Sequence, residues 1–210
     1  MNKISAKISQ KNVLSIVSCS FLVEVKQVDK IIRSLKLIAT KMSEISFTWT
    51  HIGDGVLYDN LILLAKSELS GLENIQYDFV GNYENEQVYE FYKNNPVDLF
   101  INVSSSEGVP VSIMEAMSCH IPIVAPDVGG VNDMVVDGYN GILLKSHFTV
   151  SDIVLAIKKI EFFKSSKTRD GAYKIFLERY DAKKNYVEFI KDYLIIAGNS
   201  TKIINRRMTK

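Results

Sequence analysis

Short apolar runs alternate with helix-spaced apolar stripes along this chain. Residues 12–18 form a compact β-branched run that reads as a buried strand. Val28, Ile31, Ile32, Leu35, Ile38 and Met42 then fall at i, i+3 and i+4 spacing, which predicts a helix over 28–42. A second strand is expected over 47–52, ended by Gly53-Asp54-Gly55, and a second helix over 57–69, stopped near Gly71. Residues 75–80 form a third strand with Gly81 after it, 85–93 a short amphipathic helix, and 99–103 a fourth strand. A helix begins near Pro110. Strands over 121–125 and 141–144 follow, then helices at about 149–163, 168–179 and 183–196.

The strands are continuous apolar runs rather than alternating ones, so both faces of the sheet are expected to be covered. The fold class is α/β, a parallel sheet of about six strands with helices on both faces. In such sheets ligands bind beyond the carboxyl ends of the strands. The loops at 19–26, 53–55, 81–84, 104–110 and 126–130 all follow strands and should open onto one edge.

One of these loops carries unusual chemistry. Between Gly108 and Pro126 the only formal charge is Glu115, set among Val111, Ile113, Met114, Ala116 and Met117. A carboxylate on so apolar a helix needs hydrogen-bond donors aimed at it. Glu107 lies eight residues earlier, in the loop that feeds the helix, and Pro110 sits at a position suited to the first turn. The helix start offers N–H groups and the positive end of a dipole, which suit a phosphate. Two carboxylates beside an anion-binding helix start fit a ligand with both hydroxyls and phosphates, as a nucleotide-sugar has.

The segment from Glu107 to Glu115 resembles the Glu-x7-Glu motif of retaining glycosyltransferases of family 4, which have the two-domain GT-B fold. Asp98-Leu99-Phe100-Ile101-Asn102-Val103-Ser104 resembles the strand before that motif, and Ile121-Pro122-Ile123-Val124-Ala125 the strand after it. Gly129-Gly130 and Asp137-Gly138-Tyr139-Asn140-Gly141 resemble the next two turns, and Ser18 to Lys26 the phosphate-binding loop after the first strand. The series runs from about Val13 to about Lys159. It implies a Rossmann-like, donor-binding C-terminal half of a GT-B fold, with residues 1–12 as an N-terminal extension, 13–182 as the donor domain and 183–210 as a C-terminal helix and basic tail.

The resemblance also implies roles. Lys26 would bind the diphosphate and Glu107 would meet hydroxyls of the transferred sugar; these two are the expected catalytic residues. Glu115 would accept from the ribose hydroxyls. Backbone groups of Gly108, Val109 and Val111 would face sugar and phosphates, and Asn82 and Tyr83 would meet the base. The reaction implied is transfer, with retention, from a UDP- or GDP-linked sugar to a glycan or lipid-linked acceptor, with no metal or other cofactor, in surface polysaccharide biosynthesis. The acceptor domain would be missing from this chain and supplied elsewhere. Two departures stand out: Phe21 where the family usually has an Arg, which removes a bidentate phosphate clamp, and His120 where it usually has a Gly helix cap. Phe21 keeps an alternative open, a non-catalytic nucleotide-sugar-binding subunit or an inactive remnant.

Composition changes this picture little. Hydrophobic content of 47% over 210 residues supports a real core, and a net charge of +1 gives no reason to expect a nucleic-acid partner. Cys19 and Cys119 lie in apolar settings and read as reduced core thiols. His51 and His147 have no His or Cys at metal-ligand spacing. The N-terminus lacks the apolar core of a signal peptide, and no run approaches the ~18 residues of a membrane span. A cytoplasmic location is expected; the basic tail from Lys202 to Lys210 reads first as a frayed, solvated end, with a peripheral contact at the inner face of the membrane as the alternative.

Overall fold

A computed structural model describes residues 4–187, 189–191 and 193. Six parallel strands form one sheet: β1 Val13–Cys19, β2 Ser46–Ile52, β3 Ile75–Phe79, β4 Leu99–Ile101, β5 Ile123–Pro126 and β6 Gly141–Leu144. Their spatial order is β3-β2-β1-β4-β5-β6. The chain builds one half outward from β1 and then crosses to build the other from β4. The switch point therefore lies between β1 and β4, where Ile16 and Val17 pair with Leu99 and Phe100.

The helices cover both faces. On one face lie α1 Val28–Lys41, α2 Tyr58–Leu69 and α5 Val150–Ile157. Ile31, Leu35 and Ile38 of α1 pack there with Leu14 and Ile16 of β1 and Trp49 of β2. On the other face lie α3 Asn85–Asn94, α4 Val111–Ser118 and α7 Ser166–Arg179. Tyr92, Ile113, Met117 and Ile175 meet Val17 and Phe100 there. Neighbouring residues of β1 thus feed opposite cores, as the two-residue strand period requires. This is the expected six-stranded α/β sheet, with parallel pairing throughout.

Several boundaries differ from the apolar pattern by a residue or two, and three departures have a visible cause or consequence. β4 stops at Ile101, two residues early, because Asn102 and the residues after it turn toward the motif loop. The stripe over 149–163 is two helices, α5 and the short α6 Ile160–Lys164, broken at Lys158 and Lys159. Pro110 is the N-cap of α4 rather than its first helical residue.

Residues 4–12, set apart above as an extension, run along the base of the sheet. The Ala6 N–H donates to the Cys119 carbonyl at 3.0 Å, and the Val97 N–H donates to the Lys7 carbonyl at 2.9 Å. The buried Asp98 carboxylate accepts from the N–H groups of Ser9 and Ser15 at 3.0 and 2.8 Å. Buried Arg169 of α7 donates to the carbonyls of Val97 and Ala6 at 3.0 and 2.6 Å. At the other end of the sequence, residues 182–187 are helical and Tyr186 and Val187 are exposed. The basic tail at 202–210 lies outside the described residues.

Candidate functional site

The loop after β1 is shaped by the loop after β2. The Ser20 N–H donates to the Ile52 carbonyl at 3.0 Å, and the Leu22 N–H to the Asp54 carbonyl at 2.9 Å. Gly53 has φ +139°, and a Cβ there would stand 1.9 Å from the Ser20 carbonyl oxygen. Only glycine fits so close to that backbone. Leu22 is fully buried and anchors the loop, while Phe21 beside it is 67% exposed. A 3-10 turn, Glu24–Lys26, ends the loop, and Gln27 at φ 48° hands the chain to α1. Below this loop, His51 Nε2 lies 3.2 Å from the Ser20 carbonyl, so it is the protonated nitrogen; Nδ1 then accepts from Ser18 Oγ at 2.8 Å. Trp49 Nε1 donates to the same hydroxyl at 2.9 Å.

The motif loop faces it across the switch point. The Ser105 N–H donates to the Val25 carbonyl at 2.8 Å, and Lys26 Nζ reaches Glu107 Oε1 at 2.7 Å. Two more donors meet that oxygen: Asn102 Nδ2 at 2.9 Å and Ser104 Oγ at 2.6 Å. The Ser104 N–H donates back to Asn102 Oδ1 at 2.9 Å, which fixes the amide with its nitrogen toward the carboxylate. Burial alone would raise the Glu107 carboxyl, but the bonds from Asn102, Lys26 and Ser104 outweigh it and hold the group below the usual carboxylate range. Gly129 backs this loop: at φ +54°, a Cβ would meet the Glu107 carbonyl oxygen at 1.8 Å.

Glu115 is in the opposite electrostatic state. It is the fifth residue of α4, 8% exposed, and accepts a hydrogen bond from Asn85 Nδ2 at the start of α3. Burial pushes its carboxyl up, and the single amide donor only partly offsets this. It opens onto a groove of about 1280 Å³ between α3, α4 and α7. Val111, Met114 and Ser118 of α4 share the groove with Glu115, and Tyr83 and Asn85 form part of the facing wall. Val109 and Val111 are 57% and 61% exposed, and around the Cβ position of Gly108 there is open space within 4 Å.

A profile of the family described as glycosyl transferases group 1 matches residues 2–174, most of the described chain. The chain belongs to that family. The O-antigen biosynthesis glycosyltransferase WbnH of Escherichia coli is 36% identical over 109 residues, 52% of this chain and 28% of that protein. The chain spans between 20% and 37% of the length of the curated relatives it matches. Among solved structures, the C-terminal domain of the group 1 glycosyl transferase LpcC from Francisella tularensis aligns at TM-score 0.65 and 20% identity, over 83% of this chain and 89% of that one. HepE of Anabaena, solved with UDP, aligns at TM-score 0.67 and 23% identity, over 86% of this chain and 49% of that one.

Within this group 1 chain, the structure brings Lys26 and Glu107 into direct contact and sets Glu115 on the adjoining groove. Tyr83 lines that groove; Asn82 is exposed and is not among the lining residues. Sequence reasoning passed over Asn85, Asn102 and Ser104, each of which bonds a motif carboxylate. Asn102 carried a readable signal, an amide inside a predicted buried strand. His120 takes the left-handed conformation that a glycine helix cap usually supplies, at φ 61°, with its ring stacked 4.2 Å from Tyr173. Among the described residues, no group of three or more His, Cys, Asp or Glu side chains is arranged to hold a metal, and no helix is long and apolar enough to cross a membrane.

Proposed function

We propose that this chain is the donor-binding part of a glycosyltransferase that moves a sugar from a nucleoside-diphosphate carrier, UDP- or GDP-linked, to a glycan or lipid-linked acceptor with retention. The observation that carries the reading is the placement of Lys26, Glu107 and Glu115 along one rim of the sheet at its switch point. A cation and the start of α4 there suit a diphosphate, and two carboxylates suit hydroxyls. Lys26 and the backbone of Gly108, Val109 and Val111 would stabilise the diphosphate as it leaves, which is where charge develops. Glu107, kept ionised, would hold hydroxyls of the sugar. Glu115 has its amide partner on one oxygen and would take the ribose hydroxyls, with Tyr83 and Asn82 toward the base. No metal is assigned a role. Similarity to WbnH supports a place in surface polysaccharide biosynthesis. Work at the cytoplasmic face, with the tail at 202–210 touching anionic lipid and an acceptor domain completing the cleft, belongs to the same proposal.

Titration calorimetry with UDP and GDP tests it. A hydrogen bond to a charged group contributes about 1.5–3 kcal/mol, so Glu115→Gln should weaken nucleotide binding by about tenfold or more. If neither nucleotide binds at millimolar concentration, or if Glu115→Gln leaves binding unchanged, the assignment fails. One observation favours a second reading. Phe21 stands 67% exposed where the family usually places an Arg, which suits a subunit that binds the donor without turning it over. Slow donor hydrolysis by the chain supports catalysis; binding without any hydrolysis supports the second reading.

A further inference from the structure

The crevice at the switch point is closed. The space lined by Ser18, Ser20, Lys26, Asn102 and Ser104 amounts to about 10 Å³, which is at the lower limit for holding one water. Lys26, part of its wall, reaches across to Glu107 on the facing loop at 2.7 Å. Its charge is therefore already engaged before any anion arrives. A phosphate approaching this pair meets a cation and a carboxylate in contact, with no net charge, and has to compete with the carboxylate for Lys26.

Glu107 itself does not depend on Lys26. Asn102 Nδ2 and Ser104 Oγ donate to the same Oε1 at 2.9 and 2.6 Å, and Asn102 is locked by the Ser104 N–H at 2.9 Å. When Lys26 turns to a phosphate, two donors still hold the carboxylate. All three contacts converge on Oε1, which leaves Oε2 to a ligand's hydroxyls. A sugar-bearing donor brings the hydroxyls of its sugar to that oxygen; the spent nucleoside diphosphate, whose ribose is assigned to Glu115, does not.

On the reading of this rim as a nucleotide-sugar site, we propose that Glu107 competes with the diphosphate for Lys26, and so favours the sugar-bearing donor over the spent nucleoside diphosphate. Asn102 and Ser104 are positioning residues that keep the carboxylate in place while the lysine changes partner. Glu107 thereby holds down affinity for the product and hastens its release.

The test is calorimetric titration of inorganic pyrophosphate, and separately of UDP, into the wild-type chain, Glu107→Gln, Lys26→Met and the double variant. Gln keeps an acceptor oxygen for Asn102 and Ser104, so the loop is preserved; a thermal melt checks it. The Glu107 side chain in this pair is 8% exposed, so its loss is worth at least the factor of about five at the upper end for surface pairs, and Glu107→Gln should bind pyrophosphate and UDP about fivefold more tightly or better. Lys26→Met should bind weakly, and the double variant no better than Lys26→Met, which places the gain on Lys26. If the wild-type chain binds and Glu107→Gln binds no tighter, the competition is refuted while the donor-site reading stands. A gain that persists without Lys26 also refutes it. If neither pyrophosphate nor UDP binds to any form, both readings fall together.

Discussion

Glu107 and Glu115 belong to one motif, yet their surroundings drive them apart. Glu107 collects a lysine, an amide and a hydroxyl; Glu115 collects one amide and an apolar helix. The depressed Glu107 carboxyl contributes stability that is present above the unfolded-state carboxylate value and is lost as pH falls through its folded value. The raised Glu115 carboxyl does the reverse, contributing below the unfolded-state value and losing that contribution as pH rises. Carboxyl 13C shifts followed as pH falls should show Glu107 protonating after Glu115; the opposite order would contradict the assigned environments. His51 gives a larger effect. Burial lowers it from 6.5 to about 4, against the opposing bond to the Ser20 carbonyl. Below pH 6.5 the unfolded chain takes up this proton and the folded one does not, so stability falls as pH drops. The loss should reach about 3 kcal/mol by pH 4. Urea unfolding of the chain and of His51→Gln, compared at pH 7 and pH 4.5, isolates it: the variant should be less stable at pH 7 and less sensitive to pH.

At the level of elements, two glycines make opposite predictions from similar backbone angles. Gly129 and Gly81 both have positive φ, +54° and +74°. A methyl at Gly81 enters open space, so Gly81→Ala should cost only the left-handed strain, about 1 kcal/mol. A methyl at Gly129 strikes the Glu107 carbonyl oxygen, so Gly129→Ala should cost more than 2 kcal/mol and displace the motif loop as well. Thermal melts of the two variants, with UDP affinity measured alongside, should separate them; equal melting shifts would deny the buttressing role. Sequence periodicity found the strands and helices because each buries a continuous apolar run or stripe. It also found Glu115, a lone charge in such a stripe. It did not find Asn85, Asn102 or Ser104, because polar residues at helix starts and strand ends have no period and serve caps and turns in most chains. It merged α5 and α6 because the break falls at Lys158-Lys159, where the apolar spacing does not falter. The motif was therefore legible and the side chains that set its charge states were not.

For the whole molecule, the sheet separates stability from chemistry. The proposed site lies at the carboxyl ends of the strands; the fastening of residues 4–12 lies at their amino ends. Arg169 is the centre of that fastening. The residue is 4% exposed, and its guanidinium spans the carbonyls of Val97, just before β4, and Ala6, on the N-terminal segment. Asp98 beside Val97 holds the same segment through Ser9 and holds β1 through Ser15. One side chain of α7 thus ties the start of β4 to the beginning of the described chain. Arg169→Met fills similar volume but leaves two buried carbonyls without donors. At about 1–3 kcal/mol for each abandoned group, the cost should be about 3 kcal/mol or more. Arg169→Lys should recover only part of it, since a single ammonium does not reproduce a fork aimed at two oxygens. Because β4 carries Asn102 and the motif loop from its opposite end, a rigid sheet should shield the site, and UDP affinity in the folded variants should stay within about twofold of wild type, as for distant, uncoupled positions. Urea unfolding paired with calorimetry checks both parts. A large loss of UDP affinity in a well-folded Arg169→Met protein would mean that the base of β4 and the motif loop at its top move as one unit.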